Sequence, residues 1–313
     1  MARAFVFPGQ GSQSVGMGQA LAEALAVARH VFEEVDEALK QNLSRLMFEG
    51  PEDELTLTEN AQPALMAMSV AVLRVLERDG GIDLPAHCRF VAGHSLGEYS
   101  ALCAAGALPL DETARLLKRR GQAMQQAVPV GEGAMAALLG LDFETASQVA
   151  ADAAQGEVCD TANDNAPGQV VVSGDRAAVE RAVELARERG ARRPMLLPVS
   201  APFHCALMQP AADVMKEALA TASLASPSAP LVANVTASAV SEPEEIRRLL
   251  VEQVTGMVRW RESVLYMRGQ DVDTLVEVGA GRVLTTMLKR IDRDMSGQAI
   301  ASPDDIEQYL NSI

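Results

Sequence analysis

The chain has 313 residues and a formal net charge of −15, with 48% apolar and only 4% aromatic residues. That length suits one large domain, or a large domain carrying a smaller insert, and the acidic balance argues against nucleic acid as the main partner. The opening MARAFVFPGQG has too short an apolar run before Pro8 for a signal peptide, and the longest uncharged stretch, 194–212, holds four prolines and His204, so no membrane span is expected.

In chain order, residues 3–7 (RAFVF) read as a strand, and Pro8 to Gln13 as a loop at its carboxyl end. Helical spacing follows over about 17–40. Asp53, Glu54 and Thr58 punctuate a polar loop, and Pro63 opens an apolar helix closed by Gly80. A strand over 89–93 leads into Gly93-His94-Ser95-Leu96-Gly97 and then a helix. Asp111 caps the next helix, 112–128, which stops before Pro129.

Residues 133–198 follow a different rhythm. A strand (133–141), a helix from Asp142 to Ala154, strands 157–162 and 169–174 joined by Asn163 to Gly168, a helix from Asp175 to Gly190 and a strand 194–199 make a β-α-β-β-α-β unit. The fold class expected is therefore α/β: a parallel-sheet core with an inserted ferredoxin-like subdomain. The boundaries expected are 1–128 with 199–313 for the large domain and 129–198 for the small one. The core pattern resumes with a strand at 230–236, helices 243–255 and 259–268, a strand 274–279 and a helix 281–292.

G-x-S-x-G between strand and helix is the context of a serine nucleophile on a tight turn, with helix-terminal N–H groups beside it. The alternative is a serine that merely caps the helix. A serine needs a base. His30 lies in a surface-like helical pattern and His87 in a loop, and His94 adjoins the serine on a turn that points neighbours apart. His204, in the uncharged segment VSAPFHCALM, is the best candidate, against the alternative of a structural histidine. No Asp or Glu is placed to complete a triad; Glu98, three residues after Ser95, reads as a first-turn carboxylate favouring the helix dipole. Arg120 shares a helical row with Leu116, Ala123 and Ala127 rather than with the polar row of Arg115, Arg119, Gln122 and Gln126. An arginine on an apolar row needs a partner: a substrate carboxylate, a buried ion pair, or a snorkelling path to water. The run Gly9-Gln10-Gly11 is near a dinucleotide fingerprint but lacks its third glycine, and reads better as a loop beside Ser95. Cys88, Cys103, Cys159 and Cys205 form no C-x-x-C pair and the histidines show no ligand spacing, so free thiols in a reducing compartment and no metal are expected.

Taken together these segments resemble the malonyl-CoA:acyl carrier protein transacylases. The motifs that carry the resemblance are FPGQGSQ (7–13), TENAQPAL (58–65), GHSLGEYSAL (93–102), RRGQAMQQAVP (119–129), Asn165-Ala166-Pro167-Gly168 with QVVVSG, APFHCALM (201–208), NVTA (234–237) and LVEVGAGRVL (275–284). Ala280 departs from the proline of many relatives. The resemblance implies Ser95 as nucleophile, His204 as base oriented by the main-chain carbonyl of Gln253, an oxyanion hole from the N–H groups of Gln10 and Leu96, and Arg120 gripping the malonyl carboxylate. Gln10, Asn165 and His94 are the further substrate-binding candidates. It implies malonyl-CoA as substrate, no cofactor, acyl carrier protein as partner, and a cytoplasmic monomer with neither nucleic acid nor membrane as partner. Phe203 beside His204 narrows the pocket against methylmalonyl groups. The clusters Lys118-Arg119, Arg189 with Arg192-Arg193, and Lys289-Arg290 with Arg293 are candidates for docking an acidic carrier. Three other readings stay open: a serine hydrolase or thioesterase of related fold, a free-standing malonyltransferase for polyketide synthesis or malonate decarboxylation, and a binding module without activity.

Overall fold

The computed structural model describes residues 2–313. Its first strand, β1 (Ala2–Phe7), is apolar on both faces, with Phe5 and Phe7 fully buried. Burying each phenylalanine contributes about 2–3 kcal/mol. The helical stretch expected over 17–40 is two helices, α1 (Gln19–Ala24) and α2 (Ala26–Leu39), because Leu25 is extended at φ −128°. Two short helices not expected from the sequence follow, α3 (Leu43–Glu49) and α4 (Glu52–Thr56). The second replaces the expected polar loop: Glu52, Asp53 and Glu54 occupy its first turn, where the helix dipole favours them.

Helix α5 (Thr58–Arg78) starts at Thr58, and Pro63 lies inside it rather than opening it. Proline there removes one hydrogen bond near the helix start, and the buried Thr58 and Gln62 side chains tie down the extra turn by bonding each other at 2.9 Å. From Ala61 to Leu73 this helix is buried on every side, as befits a helix apolar all round. His87 ends a short helix, α6 (Leu84–His87), not a loop. Strand β2 (Phe90–Gly93) leads to α7 (Gly97–Ala104), and α8 (Leu110–Gln126) starts one residue before Asp111. Asp111 therefore does not cap it. Pro109, at φ −61° and ψ 148°, sets the boundary, and Asp111 pairs with Arg115 at 2.6 Å in the first turn.

The middle of the chain runs β3 (Gly133–Leu139), α9 (Phe143–Ala154), β4 (Cys159–Ala166), β5 (Gln169–Asp175), α10 (Arg176–Glu188) and β6 (Arg193–Leu196). Asp142 caps α9 by accepting from the Thr145 N–H at 2.7 Å. The strands form an antiparallel sheet in the order β4-β5-β3-β6, the ferredoxin-like arrangement, over a core of its own from α9 and α10. The expected linker 163–168 is mostly strand: β4 continues to Ala166 through two register shifts, and only Pro167 and Gly168 turn the hairpin.

After β6 come α11 (Gln209–Ala220), β7 (Leu231–Ala233), β8 (Ser238–Val240), α12 (Pro243–Thr255), α13 (Trp260–Gly269), β9 (Val272–Val278), α14 (Val283–Ile291), β10 (Ser296–Ile300) and α15 (Pro303–Leu310). Of these, α11, β8, β10 and α15 go beyond the sequence reading. The large sheet has the order β10-β9-β1-β2-β7-β8, parallel except for β8. Phe7 and Gly93 are register partners, so the loops leaving β1 and β2 emerge side by side at one carboxyl edge. The site lies there.

Candidate active site

Ser95 sits on the turn between β2 and α7 with φ 53°, a left-handed conformation costly for a residue with a side chain. Two glycines let the turn close. A Cβ on Gly93 would lie 1.9 Å from the Gly97 carbonyl carbon, and one on Gly97 would lie 2.2 Å from the Phe7 carbonyl oxygen. Three bonds hold the strained backbone. The Ser95 N–H donates to Asn234 Oδ1 at 2.8 Å, Asn234 Nδ2 donates to the Gly93 carbonyl at 2.7 Å, and Gln253 Nε2 donates to the Ser95 carbonyl at 3.0 Å.

The expected serine–histidine pair is present. Ser95 Oγ is 2.8 Å from His204 Nε2. His204 Nδ1 faces two carbonyl oxygens, those of Gln253 at 2.9 Å and Gly256 at 3.1 Å. Two acceptors at Nδ1 assign the proton there and leave the Nε2 lone pair toward the serine. Burial, and then the nearby Arg120 cation, push the imidazole pKa down to about 3, so His204 is neutral and proton-accepting throughout the physiological range. The Gln253 carbonyl thus occupies the place that a carboxylate takes in a Ser-His-Asp triad. The sequence reading did not include Gly256.

Arg120 is 1% exposed and emerges from α8 toward the serine. Its guanidinium donates to Gln62 Oε1 at 2.7 Å, Gln253 Oε1 at 2.9 Å and Ser95 Oγ at 3.2 Å, and lies over the Tyr99 ring at 5.8 Å. Its Nε is buried without a partner. Among the described residues no carboxylate comes within salt-bridge distance, so neither the buried ion pair nor the snorkelling alternative describes it. This is a buried cation whose protein partners are all neutral.

The Gln10 and Leu96 N–H groups come from the two adjacent loops and, among the described residues, have no protein acceptor. The Gln10 side chain accepts from Thr58 Oγ1 at 2.9 Å, which links it through Gln62 to Arg120. His94 points away from the serine pair. Its Nε2 is 2.8 Å from Asn165 Oδ1, and burial lowers its pKa, keeping it neutral. Ser95, His204, Arg120, Gln10, His94 and Asn165 all line one cavity of about 530 Å³, whose apolar wall includes Met124, Met135, Val171 and Phe203.

Glu98 stands in the first turn of α7, as expected, but it is 1% exposed and has a larger part in the site than the helix dipole alone gives it. Its Oε2 accepts from the Asn234 N–H and from Gln253 Nε2, both at 3.0 Å. Burial raises its pKa to about 7 against the lowering effects of Gln253, Asn234 and Arg120. Asn234, Gln62 and Thr58 were also not singled out, although they stand in the NVTA and TENAQPAL segments. The four cysteines are free; Cys88, Cys103 and Cys159 have thiols pushed up to about 12 by burial. Among the described residues, no helix is long and apolar enough to cross a membrane and no cluster of His, Cys, Asp or Glu could hold a metal ion.

A family model described as an acyl transferase domain matches residues 4–303. A protein of Bacillus subtilis strain 168 named malonyl CoA-acyl carrier protein transacylase is 44% identical over 99% of this chain and 96% of its own length. Its namesake in Escherichia coli K12 is 45% identical over 96% of each. The crystal structure of an acyl-carrier-protein-S-malonyltransferase from Bartonella henselae superposes with a TM-score of 0.98 at 55% identity, covering 100% of this chain and 99% of its own. A solved complex of a type II PKS acyl-carrier protein with its malonyl-transacylase contains a chain that superposes with a TM-score of 0.96 at 42% identity, covering 100% of both chains. A match over that span, at those identities and on this fold, places the chain in the acyl transferase family, among the malonyl-CoA–acyl carrier protein transacylases.

Proposed function

We propose that this protein transfers a malonyl group from malonyl-CoA to the phosphopantetheine thiol of an acyl carrier protein, through an ester on Ser95. The observation that carries the reading is the position of Ser95 Oγ, which lies between a neutral histidine at 2.8 Å and, at 3.2 Å, a buried arginine with no carboxylate in direct contact among the described residues. A nucleophile beside a base can open an acyl group. A buried cation within reach of that nucleophile selects an acyl group that carries its own anion.

His204 takes the Ser95 proton as Oγ attacks the thioester carbonyl. The developing oxyanion turns toward the N–H groups of Gln10 and Leu96, whose hydrogens are not committed elsewhere. CoA leaves as the thiol, with the proton returned by His204. The malonyl ester keeps its carboxylate on Arg120 until the carrier's thiol attacks, and the same proton traffic runs again. His94 and Asn165 form the wall of the cavity, beside the ester, and we assign them to substrate placement. A helix that lines the cavity through Val283 and Met287 also carries Lys289 and Arg290, which are without ion pairs among the described residues. That favours the Lys289-Arg290-Arg293 cluster for the carrier. Lys118 and Arg119 are already paired with Glu59 and Glu217, and Arg189 with Asp152. We read residues 129–198 as an inserted subdomain and the protein as a cytoplasmic monomer that uses no cofactor; sedimentation tests the oligomeric state.

Intact-mass analysis after mixing with malonyl-CoA tests the central claim. A malonyl adduct on the wild-type chain and none on Ser95→Ala is expected. An adduct that persists on Ser95→Ala moves the nucleophile elsewhere. Rapid release of free malonate with no transfer to carrier would instead favour a thioesterase.

A further inference from the structure

A guanidinium buried to 1% exposure without an anion beside it is expensive unless something nearby compensates its charge. Among the described residues, the one carboxyl joined to its hydrogen-bond network is Glu98. An Arg120 N–H donates to Gln253 Oε1, and the other end of that amide, Nε2, donates to Glu98 Oε2. The amide is polarised in one sense along this path. The same carboxylate oxygen takes the Asn234 N–H, and Asn234 Oδ1 holds the Ser95 N–H. Two N–H bonds to one carboxyl oxygen favour the ionised form over the protonated one.

We propose that Glu98 is the resident counter-anion of Arg120 in the free protein, coupled to it through the Gln253 amide, and that it takes up a proton when a substrate carboxylate occupies Arg120. This rests on the malonyl-transfer reading above. Two anions cannot both be compensated by one buried cation. The substrate carboxylate makes direct contact and Glu98 is one amide further away, so Glu98 gives up its charge. The other groups around it do not compete. Tyr99 is held neutral by burial, and His204 is neutral. The elements packed on α7, namely β1, β2, β7, α5 and α8, contribute Arg120 as the one charge that acts on Glu98 among the described residues. In the free protein the Glu98 carboxyl titrates near neutrality, poised to exchange a proton at working pH. An acyl group without a carboxylate leaves the Glu98–Arg120 pair undisturbed.

The test is calorimetric titration of malonyl-CoA into Ser95→Ala protein at pH 7.5, in two buffers of different ionisation enthalpy, with free CoA as control. A carboxyl with a pKa of about 7 is roughly three-quarters ionised at that pH, so about 0.5–0.8 proton taken up per malonyl-CoA bound is expected. No such uptake is expected with free CoA, or when Glu98→Gln is added. Equal uptake with and without Glu98→Gln, or none in either, overturns the proposal. If Glu98→Gln does not fold, infrared difference spectra of the Ser95→Ala protein decide. Malonyl-CoA should raise the carbonyl band of a protonated carboxyl and free CoA should not; its absence overturns the proposal. Failure of the underlying reading looks different: no malonyl adduct forms on the wild-type chain and no heat of malonyl-CoA binding is seen.

Discussion

Replacing Arg120 by alanine separates recognition of the acyl group from the chemistry done on it. The guanidinium reaches to 3.2 Å from Ser95 Oγ, and its other two acceptors are side-chain amide oxygens of Gln62 and Gln253. In a malonyl ester the carboxylate is two carbons beyond the carbonyl under attack, which puts it within reach of that fork. Removing one partner of a buried, hydrogen-bonded charge pair costs about 2–5 kcal/mol. At about 1.4 kcal/mol per tenfold, kcat/KM for malonyl-CoA should fall roughly 30- to 3,000-fold. For acetyl-CoA the change should be opposite or small, because that acyl group brings no carboxylate to the guanidinium; discrimination of up to roughly 10⁴-fold is typical of a site built for a charged group. The preference between the two should shrink or invert. Arg120→Lys should recover only part of the loss, since an ammonium cannot make two parallel bonds to a carboxylate. The assay is kcat/KM for both acyl-CoAs on the wild type and both variants, with circular dichroism to check folding. An equal loss for both substrates would refute the reasoning and make Arg120 a support for Gln62 and Gln253.

Asn234→Ala leaves the Ser95 N–H and the Gly93 carbonyl without their partners. At about 1–3 kcal/mol for each buried group, denaturant unfolding should show a loss of about 2–6 kcal/mol together with a lowered kcat; unchanged stability would show that the turn holds itself. The pH dependence of stability follows from two buried groups of opposite sign. His204 binds no proton when folded but binds one when unfolded between about pH 3 and 6.5, so it makes stability rise with pH there. Glu98 is protonated when folded and ionised when unfolded between about pH 4.5 and 7, so it makes stability fall with pH there. The two cancel from about pH 4.5 to 6.5. Glu98→Gln should therefore steepen the rise in that window by about 1.4 kcal/mol per pH unit relative to wild type, and parallel profiles would contradict it. Reversing Lys289, Arg290 and Arg293 to glutamate should raise KM for carrier protein by roughly tenfold or more at low salt and leave self-acylation by malonyl-CoA in place. A KM insensitive to both the reversal and ionic strength would put the carrier elsewhere.

What could be read from the sequence was what is local or what carries a signature. Ser95 was legible because the strand, the two glycines and the helix around it are contiguous. Arg120 was legible because a charge on an apolar row contradicts its surroundings, and burial to 1% exposure is the resolution of that contradiction. Glu98 does stand in the first turn of α7, as its place three residues after Ser95 suggests, but its burial has no local signal: Asn234 and Gln253 reach across to it from more than a hundred residues away and make it interior. Asn234 and Gln62 have no local signal at all, since their partners lie on other elements. The start of α5 has no local signal because proline is commonest in a first turn, whereas here the Thr58–Gln62 bond within the helix and their bonds to Gln10 and Arg120 carry the helix back beyond Pro63. Strand β4 is expected only to residue 162, because Asn163, Asp164 and Asn165 are turn formers by composition, yet the two register shifts let them stay in the ladder.

Those register shifts have a mechanical consequence. They turn Asp164 and Asn165 out of the small sheet onto the large body: Asp164 meets Arg261 with both oxygens at 2.8 and 3.1 Å, its N–H donates to the Val258 carbonyl, and Asn165 meets His94. The Asp160 carboxylate adds a bond to the Ala206 N–H, two residues from His204. The joint between the two sheets therefore reaches the cavity wall through His94 and Asn165. Prising the two sheets apart would break the bond that places His94 and would disturb the segment carrying His204, so the seam between the sheets and the geometry beside Ser95 stand or fall together.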